Sequence, residues 1–99
     1  MKAFIIGSVT SSKHDIINAE RTANSFKYIT SRPIFPGENG GDVDKIALIT
    51  RAIELIHESD LVVVVPKPDG TYGDYTLFEW SLAKFWEKEI VIWDVNKED

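Results

Sequence analysis

Glu79 carries the chemistry that stands out most in this sequence. It closes the run TLFE at 76–79, which opens a predicted helix directly after a loop rich in proline, glycine and aspartate. A carboxylate there can attack an anomeric carbon and form a covalent glycosyl intermediate. The same run also matches a capping box, in which Thr76 and Glu79 bind free amides of the first helical turn. Spacing alone leaves both interpretations open.

A second polar segment, residues 7–13 (GSVTSSK), follows the first predicted strand. It supplies hydroxyl groups, backbone amides and one cation near a helix start, a setting that binds a phosphate or a sugar hydroxyl. The glycine spacing of a P-loop or of a dinucleotide-binding turn is absent. A plain capped turn between strand and helix is the alternative interpretation.

The elements that must position these residues follow from the apolar pattern. Apolar runs without alternation predict parallel strands buried on both faces, and three- or four-residue spacing predicts helices. The predicted strands cover 3–6, 28–35, 61–65 and 90–93. The second strand should be short and near an edge, because Pro33 cannot donate to a sheet ladder. The loop 36–41 breaks the pattern before the second helix.

Three predicted helices connect these strands. The first covers 12–27 and is capped by Ser11 or Ser12. The second begins at Asp42 or Asp44 and ends near Ser59, with His57 in its last turn. Its predicted buried face carries Ile46, Ile49, Ile53 and Ile56. The third follows the loop 66–74 and contains Leu77, Phe78, Leu82 and Phe85.

This order predicts a doubly wound, flavodoxin-like α/β fold. Right-handed crossovers give a four-stranded parallel sheet in the order 2-1-3-4 with helices on both faces. Ligands bind such sheets at the carboxyl ends of the strands where the winding reverses, here between strands one and three. The loop 7–13 should therefore lie beside the loop 66–76.

Composition narrows the class of protein. A chain of 99 residues, 43% of them hydrophobic, suits one domain spanning 1–99. The absence of cysteine excludes disulfides, thiolate nucleophiles and cysteine-ligated metals. His14 and His57 lack partners at ligand spacing, so we expect no metal site and no cofactor.

Charge and hydropathy limit the expected partners and location. Eleven scattered Lys and Arg residues face 16 Asp and Glu residues, a net charge of -5, which disfavours nucleic-acid binding. No apolar run has the length of a signal-peptide core or a membrane span. We therefore expect a cytoplasmic protein that binds small molecules, with no membrane partner.

Four stretches together resemble the nucleoside 2-deoxyribosyltransferase family: residues 2–7 (KAFIIG), 60–66 (DLVVVVP), 76–83 (TLFEWSLA) and 88–92 (KEIVI). The resemblance covers nearly the whole chain. It implies that Glu79 is the nucleophile, which takes deoxyribose from one base before another base, or water, receives it. Thr76 matches a threonine that many members carry. Members are usually homo-oligomers with shared sites, and neither metal nor cofactor is implied.

Three positions differ from the family pattern. Phe4 stands where a tyrosine is usual, Ala52 where an aspartate is often found, and Tyr75 where a glycine is common. Phe4 has no hydroxyl group to orient the glutamate, and the ring of Tyr75 should narrow the approach to the cleft. These differences favour a rival hypothesis, a non-catalytic domain that binds a nucleoside or nucleotide.

A departing base also needs a proton donor. Asp69 and Asp74 are the loop candidates, although both residue types are ordinary in turns and caps. Asp60 begins a strand and so lies at the end of the sheet opposite the cleft.

The leading hypothesis is therefore breakage of an N-glycosidic bond in a deoxyribonucleoside or its 5′-phosphate. The expected substrate-binding residues are Phe4, Gly7, Ser8, Thr10, Ser11, Tyr75 and Thr76. A third hypothesis is an interaction protein that uses the aromatic residues Tyr75, Trp80 and Trp86 of the third helix, which otherwise fill the core or form a subunit contact.

Overall fold

The computed structural model describes residues 1–38 and 44–94. Its strands and helices follow one another in the predicted order. They are β1 (Lys2–Ile6), α1 (Lys13–Ser25), β2 (Ile29–Ser31), α2 (Lys45–Glu58), β3 (Leu61–Val64), α3 (Asp74–Phe85) and β4 (Glu89–Ile92).

The four strands form one parallel sheet in the order β2-β1-β3-β4. In its centre β1 pairs with β3, and the register runs from Ala3 opposite Leu61 to Ile6 opposite Val64. This confirms the predicted flavodoxin-like order. The winding reverses between β1 and β3, because β2 lies on one side of this pair and β4 on the other.

Alternate residues of the central strands pack into two separate cores. On one face, Ile5 and Val63 contact α1 through Ile16 and Ala19. On the other, the core of Phe4, Ile6, Val62 and Val64 is completed by Ala52 and Ile56 of α2 and Ala83 of α3. Helices therefore cover both faces, which is why β1 and β3 are apolar without alternation.

The ends of several elements differ from the prediction. β2 spans only three residues, and Pro33 lies beyond it. Ser12 precedes α1, but its hydroxyl group donates to the Pro66 carbonyl oxygen at 3.1 Å instead of capping the helix. Asp44 does cap α2, since its side chain accepts from the Ile46 backbone N–H at 3.0 Å. The alternative start at Asp42 lies outside the described residues.

The prediction that Ile46 is buried is wrong, because its side chain is 74% exposed. Helix α2 packs closely on the sheet only from Ala52 onward, and Ile56 is its fully buried residue. Its first turn instead borders a cavity. Within the described ranges, no helix is long and apolar enough to cross a membrane.

An ionic clamp holds the chain that leaves β2. The Arg32 guanidinium donates to both carboxylate oxygens of Glu38, at 2.8 and 3.0 Å, and lies 4.4 Å from the centre of the Phe35 ring. Glu38 also accepts from the Phe35 backbone N–H at 2.6 Å. The hydrogen bonds from Arg32, followed by the one from Phe35, lower the pKa of Glu38 to about 2.

We expect this clamp to make the free energy of unfolding depend on pH in the acid range. A carboxyl group with a lowered pKa stabilises the fold fully above its ordinary pKa of 4.5 and loses that contribution as the pH falls through about 2. Urea unfolding of Glu38→Gln between pH 5 and pH 2 should therefore show a shallower loss of stability than the unchanged chain. Glu54→Gln, on the exposed side of α2, is the control and should keep the original slope. Parallel slopes for Glu38→Gln and the unchanged chain would contradict a lowered pKa.

Candidate active site

A cavity of about 350 Å³ lies at the carboxyl ends of β1 and β3, where the fold predicts a ligand. Its walls come from the turn after β1, the connection after β2, the first turns of α2, and the start of α3. The predicted residues that line it are Phe4, Gly7, Ser8, Thr10, Asp74, Tyr75, Thr76 and Glu79. Ser11 and Asp69 do not line it.

Gly7 lets the two loops at this edge approach each other. A Cβ atom at this position would lie 3.1 Å from both Ile16 Cδ1 and Val65 Cβ. The hydroxyl group of Ser12 then ties the turn after β1 to the Pro66 carbonyl oxygen that follows β3. The loops 7–13 and 66–76 are thus neighbours, as predicted.

The turn after β1 satisfies part of its own polar groups. Ser8 Oγ accepts from the Ser11 backbone N–H at 3.3 Å and lies 3.3 Å from Thr10 Oγ1. Ser11 itself is exposed and is not one of the cavity-lining residues. Ser8 and Thr10 therefore remain the hydroxyl groups of this turn that border the cavity.

The capping-box interpretation of residues 76–79 is wrong. Helix α3 begins with Gly73 as its N-cap, so Thr76 is its third residue and Glu79 its sixth. No side chain caps this end. Glu79 lies in the second turn, where backbone amides already bond within the helix. Among the described residues, its carboxyl group accepts no hydrogen bond.

Burial governs the protonation of Glu79. The side chain is half-buried in the cavity wall, and desolvation raises its pKa to about 7, while the positive charge of Arg51 on α2 acts in the opposite direction. Near neutral pH the protonated and ionised forms are therefore both populated. The ionised form is a nucleophile.

The two loop aspartates separate in the structure. Asp74 is the first residue of α3 and borders the same cavity as Glu79. Asp69 instead accepts from the Thr71 hydroxyl group at 2.6 Å and from the Thr71 backbone N–H at 2.9 Å, and these hydrogen bonds lower its pKa. Asp69 thus has the geometry of a turn residue.

Asp60 lies at the opposite end of the sheet, as expected. Its carboxylate accepts from the Lys2 backbone N–H at 2.8 Å. This bond joins the amino-terminal ends of β1 and β3.

The three positions that differ from the family pattern all face this region. Phe4 is fully buried beneath the cavity, and Ala52 is buried in its wall. Tyr75 is 56% exposed and lines the same cavity.

Sequence reasoning missed three cations that line the cavity: Lys45, Arg51 and Lys67. The sequence did contain a signal for Lys45 and Arg51. Helix α2 follows the carboxyl end of β2, so its first turns must border the same edge of the sheet as the loops after β1 and β3. Lys45 and Arg51 occupy those turns.

A second, polar cavity of about 370 Å³ adjoins the first. Ile34 and Arg51 line both cavities, and the clamp residues Arg32 and Glu38 line only the second. Among the described residues, no three His, Asp or Glu side chains are grouped in a way that could hold a metal ion.

Comparison with known proteins bears on the fold. No protein-family model matches the sequence, and no curated protein matches it. Among solved structures, the 2-desoxiribosyltransferase from Leishmania mexicana superposes with a TM-score of 0.65 over 92% of this chain, at 13% sequence identity. This chain has a nucleoside 2-deoxyribosyltransferase-like fold. It spans 62% of the length of that protein. The resemblance seen in the sequence is thus confirmed for the architecture.

The raised pKa of Glu79 predicts how its replacement changes stability. Such a carboxyl group stabilises the fold fully below its ordinary pKa of 4.5, and this contribution is lost as the pH rises through about 7. Glu79→Gln should therefore gain stability relative to the unchanged chain between pH 5 and pH 8.5, by up to about 3 kcal/mol. Urea unfolding at the two pH values measures this gain.

The matched control is Glu54→Gln, which should change stability by less than about 0.5 kcal/mol at both pH values. An effect of Glu79→Gln that is equal at pH 5 and pH 8.5 would show that burial does not perturb the carboxyl group.

Proposed function

We propose that this chain acts in the cytoplasm as a single domain that breaks an N-glycosidic bond of a deoxyribonucleoside or its 5′-phosphate. The sugar is transferred to another base or to water, and Glu79 is the nucleophile. One observation carries the proposal. Glu79 is a half-buried carboxyl group without a hydrogen bond among the described residues, and it lines the cavity at the reversal point of a 2-deoxyribosyltransferase-like sheet.

The proposed reaction has two steps. In the first, a carboxylate oxygen of Glu79 bonds to C1′ while the C1′–N bond breaks and its electrons pass to the base nitrogen. In the second, an acceptor base or water attacks C1′ and gives up its proton to Asp74, and the ester bond to Glu79 breaks so that its electrons restore the carboxylate. Both transition states carry positive charge on the sugar ring, which the nearby carboxylate stabilises.

The leaving base takes up a proton, and Asp74 is our candidate donor. It shares the cavity with Glu79, whereas Asp69 does not. Asp74 is exposed at the start of α3.

The size and walls of the cavity suit a nucleoside. A volume of about 350 Å³ falls within the usual range for small-molecule sites. The aromatic rings of Tyr75 and Phe78 border the cavity and remain partly exposed, so they can offer flat apolar faces to a base.

A second candidate function is binding without turnover. Phe4 is buried under the cavity and has no hydroxyl group to orient Glu79, and Ala52 replaces a carboxylate in the wall. A domain of this kind would keep the cavity and hold a nucleoside or nucleotide without cleaving it.

Glu79→Gln should lower the rate of nucleobase release from a panel of deoxynucleosides and deoxynucleoside 5′-monophosphates by about 1,000-fold or more, because the attacking oxygen is lost. The rate of the unchanged enzyme should rise as the pH passes about 7, where Glu79 becomes ionised. Chromatography of released base measures both effects.

Glu54→Gln should retain full activity. A Glu79→Gln variant as active as the unchanged enzyme would eliminate the mechanism. Calorimetric binding of the same compounds without release of base would establish the second candidate function instead.

We also propose that the chain forms a homo-oligomer through α3. Four apolar side chains of this helix are between 45% and 79% exposed: Tyr75, Leu77, Phe78 and Phe85. Exposed aromatic side chains of this kind are enriched at the centres of subunit interfaces.

Sedimentation equilibrium tests this assembly. The unchanged chain should have a mass above that of an 11.2 kDa monomer, and Phe85→Glu should lower it, because a charge at the interface core is costly. Phe26→Glu is the control, since Phe26 is 72% exposed at the end of α1, and it should leave the mass unchanged. A monomeric unchanged chain, or equal effects of the two variants, would refute the proposed contact.

A further inference from the structure

Arg51 occupies the place on α2 where the two cavities meet. It lines both of them and is half-buried. Among residues 1–38 and 44–94, its guanidinium makes no ion pair and no hydrogen bond. Arg32 of the second cavity differs, because Glu38 and Glu20 satisfy it. The charge of Arg51 is therefore left free to act on the cavity contents.

Within the part of the chain that the structure describes, the charged groups that line the cavity together with Glu79 come from three elements. Lys45 and Arg51 come from α2, Lys67 from the loop before α3, and Asp74 from the start of α3 itself. The lining residues of β1 and its turn are apolar or hydroxyl-bearing. Lys45 and Asp74 are exposed, so water and salt screen their charges.

The two remaining cations, Lys67 and Arg51, differ in their position relative to α3. The Lys67 side chain lies against Gly73, and its Cε atom would be 3.8 Å from a Cβ atom there, which places it at the N-terminus of α3. Arg51 instead lies on α2, which packs against α3. Arg51 is the cation whose charge counteracts the effect of burial on Glu79.

We propose that Arg51 is a positioning residue whose charge keeps the Glu79 carboxylate ionised for attack on the sugar. The proposal rests on the function proposed above. Burial favours the protonated carboxyl group, which is a poor nucleophile. A guanidinium stays protonated at every physiological pH, so its charge opposes burial under all conditions in which the enzyme works.

The same charge acts in both steps of the reaction. When the C1′–O bond to Glu79 forms, the carboxylate loses its charge, and when the acceptor breaks that ester the charge returns. Arg51 therefore favours the ionised state that starts the cycle and the one that ends it. Substrate in the cavity excludes water, which strengthens the interaction.

Two variants separate charge from packing. Arg51→Met removes the charge and keeps a long side chain, and Arg51→Lys keeps the charge. The first readout is the titration of the Glu79 carboxyl carbon by ¹³C NMR, with Glu79→Gln identifying the signal. The second is the pH dependence of kcat for nucleobase release. Arg21→Met, exposed on α1, is the matched control.

Arg51→Met should raise the Glu79 titration midpoint by about one pH unit. The acidic limb of the pH profile of kcat should move upward by the same amount. Relative to the unchanged enzyme at the same pH, its kcat should then be about tenfold lower at pH 6 and nearly equal at pH 9. Arg51→Lys should move both by less than half as much, and Arg21→Met should move neither. A merely structural role would lower kcat equally at every pH.

The two proposals fail in different ways. An unchanged Glu79 midpoint in Arg51→Met would overturn the role of Arg51, whether or not the protein is active. An active Glu79→Gln variant would overturn the nucleophile and leave the titration readable. Should Arg51→Met fail to fold, as judged by thermal unfolding, Arg51→Gln takes its place in both measurements, with the same expected shifts.

Discussion

The pairing of β1 with β3 is the constraint on which the rest of the structure depends. These strands are buried on both faces, and their carboxyl ends open at the same edge of the sheet. The close approach there requires Gly7, since a larger residue would press on Ile16 and Val65. The hydroxyl group of Ser12 then joins the two loops across the reversal point. The turn after β1 and the start of α3, which form two walls of the cavity, follow from this arrangement.

The cavity sets two physical effects against each other at one carboxyl group. Low polarity around Glu79 favours its protonated form, and the cation on the neighbouring helix favours its ionised form. The balance lies close to neutral pH, which suits a group that loses and regains its charge in the proposed reaction. The clamp of Arg32 and Glu38 shows the contrasting case, in which direct hydrogen bonds keep a carboxylate ionised down to strongly acidic pH.

The fold alone does not decide the activity. Sheets of this kind carry many functions at the same edge, so the chemistry depends on which side chains the loops and helix ends supply. Here Phe4 and Ala52 make part of the cavity wall apolar, and Arg51 adds a charge to it. A site built in this way depends more on burial and on a distant charge than on a network of hydrogen bonds.

Local sequence pattern was sufficient for the architecture. The unbroken apolar runs of β1 and β3 predict buried strands. The three- and four-residue spacing of apolar residues between them predicts the helices that connect these strands. Because such connections are right-handed, the observed strand order is the simplest that the sequence allows. The same reasoning brought Glu79 to the carboxyl edge of the sheet, because the loop and helix after a central strand must lie there.

Tertiary structure decided what local pattern could not. Helix α3 begins at Asp74, and its N-cap Gly73 has no capping side chain, so the more familiar capping signal at Thr76 marked the wrong start. Ile46 follows the helical period of α2 and is still exposed, because periodicity describes one helix and burial needs a second surface. Arg51 acquires its importance in the same way. Its charge matters only because folding places it opposite a carboxyl group that lies 28 residues further along the chain and has been withdrawn from water.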